Sequence, residues 1–330
     1  MKGLAVPRAS REENPVPRVR VGISSCLLGA CVRFDGGHKR DPFLTDSFGK
    51  YVEWIPVCPE VEMGLGVPRE TLRLVERNGA ARIVAPASGK DHTRAMSEWA
   101  GERLRQLDKE GLCGYVLKRG SPSCGLERVR VHHANGQVTK DGQGVYASHL
   151  VAEFPHLPIE EEGRLNDPRI RENFVSRVFS YQRWKTLCSE GAALSSLMTF
   201  HARHKYLLMS RNQAGASRLG ALLGQWRSPE VGCVYAEYIQ GFMDVMAHTP
   251  SRRGHTNVLR HLAGYFSERL GPDDRAELTE SIERYRRELL PLIVPVTMVR
   301  HYVRQFQIAY LQDQIYLDPH PHELMLLNEL

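Results

Sequence analysis

The sequence predicts an α/β domain with a mostly parallel sheet, followed by an all-α domain, and three observations carry that expectation. Short β-branched runs at 19–25, 52–58, 81–85 and 114–117 alternate with helical stretches such as 92–108, the pattern of strands joined by crossover helices. Beyond residue 168 the apolar residues shift to three- and four-residue spacing, which is helical. Between the two textures, residues 155–168 hold three prolines, an acidic triplet at 160–162 and an Asn-Asp-Pro turn, the marks of a domain boundary.

Taken in order, residues 1–17 mix prolines with charges and lack apolar periodicity, so they read as a disordered leader. Residues 18–157 form the α/β domain. After its fourth strand comes a polar hairpin, 128–133 turning at Asn135-Gly136, and then a helix near 144–153. A linker at 158–168 leads into the helical domain, 169–330, with helices expected at 169–188, 194–210, 214–224, 229–247, 257–270, 277–287 and 295–311.

Composition narrows the function classes. With 330 residues, 42% hydrophobic and 25% charged, the chain is long enough for two cores and is neither disordered nor fibrous. The opening segment lacks the apolar stretch of a secretory signal, and the most apolar run, 289–299, carries two prolines and is too short to cross a bilayer. A cytoplasmic protein without a membrane span is expected, and no obligate protein partner is inferred. The net charge of +6 is spread along the chain, with 23 basic against 19 acidic side chains in residues 1–160. An anionic partner would thus need folding to gather arginines onto one face.

Seven cysteines in such a chain point to ligands, reactive thiols or small core residues before disulfides. Three of them directly follow expected strands: Cys26 in Ser-Ser-Cys-Leu-Leu-Gly, Cys58 in Val-Cys-Pro-Glu and Cys124 in Gly-Ser-Pro-Ser-Cys-Gly. In open parallel sheets, ligands bind outside the carboxyl ends of strands. Paired Cys-x2-Cys spacing, the mark of a structural zinc, is missing. Widely separated thiolates suit a cubane instead, ligating three irons of a [4Fe-4S] cluster and leaving one open to substrate.

The runs SCLLGACVRFDGG (25–37), VCPEVEMGLGVPRE (57–70) and KRGSPSCG (118–125) resemble the TudS-type thiouracil desulfidase family over roughly residues 18–155. The resemblance implies a Rossmann-like N-terminal domain and a [4Fe-4S] cluster with three cysteine ligands and one open iron, which takes sulfur from a thionucleobase. Cys26, Cys58 and Cys124 match its ligands, and Cys31 falls in the same motif as a further contender. The chain departs from the family pattern at Ala30, Phe34 and Met63-Gly64-Leu65. Glu60, two residues past Cys58, is expected to move the protons of hydrolysis. Ser121, in the turn before Cys124, is expected to hydrogen-bond the base or orient water, although such turns are also simply structural.

Residues 176–319 resemble the YbgA-like domain through FHARHKYLLM (200–209) and RGHTNVLRH (253–261). Fusion of the two domains resembles RudS-type desulfidases, which implies 4-thiouridine in tRNA as substrate and an RNA-binding role for the helical domain. The expected RNA-contacting residues are Arg33, Lys39, Arg69, Lys118 and Arg119 around the cysteines, with Lys205, Arg252, Arg253 and His255 in the helical domain. Arg69 reads equally as the partner of a carboxylate. His201 and His204 share a helical face with Lys205, and Tyr181, Trp184, Tyr206, Trp226 and Tyr265 serve either as stacking platforms or as core. The competing functions are desulfidation of free thiouracil, a non-catalytic iron-sulfur RNA-binding sensor, and a zinc-stabilised scaffold.

Overall fold

The computed structural model describes residues 19–77, 79–227 and 230–330. The expected leader, 1–17, lies outside them.

The first strand, β1 (Val19–Ser24), and the second, β2 (Val52–Val57), are followed by a one-turn helix α1 (Pro59–Glu62). Then come β3 (Arg73–Arg77), β4 (Ala80–Val84), helix α2 (Thr93–Glu110), β5 (Gly114–Leu117), β6 (Val129–His132), β7 (Val138–Gly142), helix α3 (Val145–Glu153) and β8 (Ile159–Glu161). One sheet has the order β2-β1-β5-β8 and is parallel throughout, with Ser24 beside Val57 and Ile23 beside Val116, so that the strands end level. The other, β4-β3-β6-β7, is mixed.

The parallel sheet is covered on both faces, as such sheets require. Tyr115, Leu117 and Val57 pack with Met96, Leu104 and Leu107 of α2 and with Tyr146 and Leu150 of α3. On the opposite face Val21, Ile23 and Val116 meet Leu44, Phe48, Phe174, Val175 and Val178. The strand expected at 81–85 is displaced from the parallel sheet: it is β4, hairpin partner of β3, whose charged sequence hid it. Residues 158–168, expected as a linker, contribute β8 to the sheet.

Helix α4 (Pro168–Ser189) is capped by Asp167, whose carboxylate accepts from the N–H groups of Arg169 and Ile170. Helices α5 (Leu194–Arg211), α6 (Gln213–Gln225), α7 (Val231–Ala247), α8 (Arg252–Gly264), α9 (Pro272–Arg286), α10 (Ile293–Gln305) and α11 (Ala309–Gln312) follow. They enclose a second core around Trp184, Phe200, Tyr238, Phe242, Leu259 and Val299. The helix expected at 257–270 starts earlier, where the Ser251 hydroxyl accepts from the Gly254 N–H at 3.0 Å. The helix expected at 295–311 breaks at Gln307, whose φ of 49° is left-handed. No described helix is long and apolar enough to cross a membrane.

Candidate active site

Because β1 lies inside the sheet, the chain leaves it toward β2 on one side and β5 on the other. That divergence opens a crevice at the carboxyl ends of these strands, and the three strand-end cysteines occupy it. Cys26 sits in a 3₁₀ turn (Ser25–Leu28) directly after β1. Cys58 ends β2 and caps α1, and Cys124 lies in the turn between β5 and β6. All three are buried and line one cavity of about 350 Å³, the size of a small-molecule pocket.

Each thiol is fixed by its backbone. The Cys26 carbonyl accepts from the N–H groups of Gly29 and Lys39, at 3.3 and 2.8 Å, with Gly29 at a φ of 94° closing the turn. The Cys58 N–H donates to Glu62 Oε1 at 2.9 Å, and Arg103 Nε faces the other Glu62 oxygen at 3.1 Å. Glu62 is thereby a tether. The Cys124 turn is gripped by the start of α3, where the N–H groups of Gly144, Val145 and Ala147 donate to the carbonyls of Gly125, Pro122 and Ser123.

Burial is the main reason that the thiols resist ionisation, and the Glu60 carboxylate adds to it. Cys26 is pushed up to about 11, Cys58 to about 12, and Cys124 well above the ordinary thiol range. Buried thiols with no adjacent cation strong enough to ionise them are inert unless a metal supplies the charge. The donor set is soft and all-sulfur, as an iron-sulfur cluster requires. Among the described residues no group of three or more His, Cys, Asp or Glu side chains is placed to hold a metal ion. By the chemistry of the donor set and its gathering on one cavity, the residues present fit the expected group.

Glu60 projects into this cavity from α1. Its Oε1 accepts from the Ser123 hydroxyl at 2.5 Å, and its Oε2 lies 3.6 Å from Cys58 Sγ and 3.9 Å from Arg69 Nη2. The Ser123 hydroxyl oxygen also lies 3.6 Å from Cys124 Sγ and 2.8 Å from the Ser121 hydroxyl. Sequence reasoning missed Ser123, since both serines flank the same proline and spacing alone does not tell which hydroxyl turns inward. Ser121 lines the cavity, but its oxygen accepts from the N–H groups of Ser123 and Cys124, so it chiefly shapes the turn. Cys31 is exposed and stands outside the cavity lining.

The expected cations around the cysteines, Arg33, Lys39, Arg69, Lys118 and Arg119, all line the cavity. Several are engaged within the protein. Arg69 donates to the carbonyls of Val32 and Gly66 besides facing Glu60, which favours the carboxylate partnership over RNA contact. Lys118 pairs with Glu162, and Arg33 lies 3.5 Å from Asp35.

In the helical half the outcome is mixed. His255 is buried, with Nδ1 3.1 Å from the Tyr316 hydroxyl and its pKa lowered to about 4 by burial, which corrects the expectation of RNA contact. It lies one turn inside α8, and that turn faces the core. Arg252 donates to the Tyr285 carbonyl and lies 3.3 Å from Glu288. Lys205 and Arg253 are exposed. His204 is buried, and its Nδ1 donates to the Phe200 carbonyl at 2.8 Å, so its shared face with His201 is core. Trp184 and Tyr206 are core residues, Tyr181 and Trp226 pack against the core, and Tyr265 is half exposed and stacked on Tyr310.

The 2-thiouracil desulfurase family matches residues 21–162, and the DUF1722 family, described as a protein of unknown function, matches residues 205–321. The Escherichia coli (strain K12) protein YbgA is 28% identical over 165 residues, covering 49% of this chain and 96% of that protein. The Bacillus subtilis (strain 168) protein YbbK is 33% identical over 154 residues, covering 44% of this chain and 97% of that protein. Among solved structures, the [4Fe-4S]-dependent thiouracil desulfidase TudS is 30% identical, with a TM-score of 0.37, covering 46% of this chain and 95% of that one. The chain belongs to the 2-thiouracil desulfurase family through its α/β half and carries a YbgA-like DUF1722 domain after it.

Proposed function

We propose that the protein removes the sulfur of 4-thiouridine in tRNA by hydrolysis, giving uridine and sulfide. The observation that carries the reading is the convergence of three buried thiols and Glu60, which the buried Ser123 hydroxyl holds from behind, on one cavity. Cys26, Cys58 and Cys124 are the residues that would hold a [4Fe-4S] cluster. Bound there, such a cluster supplies an open thiophilic iron that acts as a Lewis acid toward a thiocarbonyl.

In the balanced reaction, water oxygen replaces sulfur on the ring carbon, and the two water protons leave with the sulfur as hydrogen sulfide. No electron is gained or lost overall. Glu60 is the proton carrier, taking a proton as water adds and returning it as sulfur departs. Ser123 holds Glu60 Oε1 and thereby sets which carboxylate oxygen faces the substrate. Arg69 keeps the second oxygen in place while bracing the 32–34 loop. The cavity accommodates one base, so a nucleotide within RNA must be presented unstacked. Support for RNA over the free base comes from the fused helical domain with exposed Lys205 and Arg253, and from Lys39 and Arg119 at the cavity mouth.

The test is sulfide release by anaerobically reconstituted protein from 4-thiouridine-containing tRNA, beside free 4-thiouracil and the Cys58→Ala variant. Release from tRNA that disappears in the variant is expected. Release from the free base alone would overturn the RNA assignment. Absence of sulfide from cluster-loaded protein, with RNA binding that follows the cluster's redox state, would mark a sensor.

A further inference from the structure

Next to the thiol cavity a second concavity of about 620 Å³ runs beneath the β6–β7 hairpin, and Arg119 and Gly120 line both. We propose that this groove binds the sugar-phosphate backbone of a nucleic acid strand whose reactive base occupies the thiol cavity. The inference rests on the RNA reading above and assigns to it a surface in the α/β half.

The groove is lined by Arg119, Arg128, Arg130, Lys140 and Arg164 against Glu127 and Glu161. Of the two acids, Glu127 has a cationic partner and Glu161 is held by backbone. Glu127 pairs with Arg164 at 2.9 Å, and Glu161 accepts from the Leu126 N–H at 2.8 Å. Arg164 also reaches Glu160 at 2.7 Å, so its charge is matched. Arg119, Arg128, Arg130 and Lys140 have no ion-pair partner among the described residues. Four cations without an ion-pair partner against one carboxylate, Glu161, leave the concave surface clearly positive, and such a surface attracts an anion more strongly than cations scattered over a convex one.

Their placement suits a polymer. In β6, Val129 and Val131 are buried and Arg130 points the other way. The register slips between these valines, so that Lys140 falls in the bulge opposite Arg130, with Asp141 the nearby acid. Arg128 precedes the strand with a left-handed φ of 54°. Arg119 occupies the junction of the two cavities, where Gly163 makes room for it: a Cβ there would meet Arg119 Cδ at 2.7 Å. Cations thus begin at the mouth of the thiol cavity and continue along the hairpin, as the successive phosphates flanking one seated base require.

The test uses the full chain and the triple variant Arg128→Gln, Arg130→Gln, Lys140→Gln. It leaves Arg119 intact because that residue also borders the reaction cavity. Binding of unmodified tRNA is followed by fluorescence anisotropy between 50 and 200 mM salt. The variant is expected to bind at least about ten-fold more weakly, with a salt slope shallower by about 2, as for loss of three single-strand phosphate contacts. In sulfide release it should raise KM for thiolated tRNA about ten-fold and leave turnover of free 4-thiouracil unchanged.

Equal binding with an unchanged slope, or wild-type protein that binds no tRNA, would overturn the groove. Wild-type protein that turns over the free base alone, yet binds tRNA through these three residues, would overturn the substrate reading and leave the groove standing. A thermal midpoint equal to wild type, expected since all three side chains are exposed, separates these outcomes from misfolding.

Discussion

Ser121 and Ser123 sit on either side of one proline, yet the Ser123 hydroxyl makes the 2.5 Å bond to Glu60 while Ser121 accepts from the backbone of the turn. The difference sets separable expectations. Glu60→Gln should lower sulfide release at least about 100-fold, the scale of general acid-base catalysis, with iron per chain unchanged. Ser123→Ala should lower kcat about ten-fold, and Ser123→Thr, which keeps the hydroxyl, should recover most of it; equal rates for Ala and Thr would remove the positioning role. The thiols were readable because position relative to strand ends is a property of chain order, which sequence carries. Which of two neighbouring hydroxyls meets the carboxylate is not, and neither is the facing of His255, since a run of basic residues at a helix start looks the same whether its second turn meets water or Tyr316.

Elements joined by strong periodicity, such as α2, α3 and the helices from α4 to α7, follow the expected spans to within a few residues. Those that departed did so for identifiable reasons. Strand β3, Arg-Leu-Val-Glu-Arg, has only two apolar residues between charged ends, and β8 is a three-residue strand recruited by β5, so neither has the run length by which strands announce themselves. The grip of α3 on the Cys124 turn was also invisible, because it depends on Gly144. A Cβ there would meet the Ser123 carbonyl oxygen at 2.3 Å, a backbone atom that cannot rotate away. Gly144→Ala should therefore destabilise the fold by about 1–3 kcal/mol and reduce iron retained per chain, read by thermal melting and metal analysis. Normal iron retention with only a lower melting point would show that the turn tolerates the shift.

At the scale of the molecule, buried histidines, His204 and His255 foremost, make the helical half sensitive to acid. Burial lowers His204 to about 3 and His255 to about 4, against about 6.5 when unfolded. Below pH 6.5 the unfolded chain takes up protons that the folded one refuses, so stability is full above that value and falls as pH drops. Each histidine contributes a slope of up to about 1.4 kcal/mol per pH unit. The melting temperature of metal-free protein should decline from pH 7 to pH 5, and a flat profile would contradict the burial of these rings. Helix α4 belongs to both the α/β and the helical cores, giving Phe174, Val175 and Val178 to the sheet and Trp184 and Leu187 to the helices. Leu326 returns to the same face of the sheet as Val19 and Val21. During synthesis, then, Leu44, Phe48 and the start of α4 cover that face first, and its packing is completed only when residue 326 has left the ribosome.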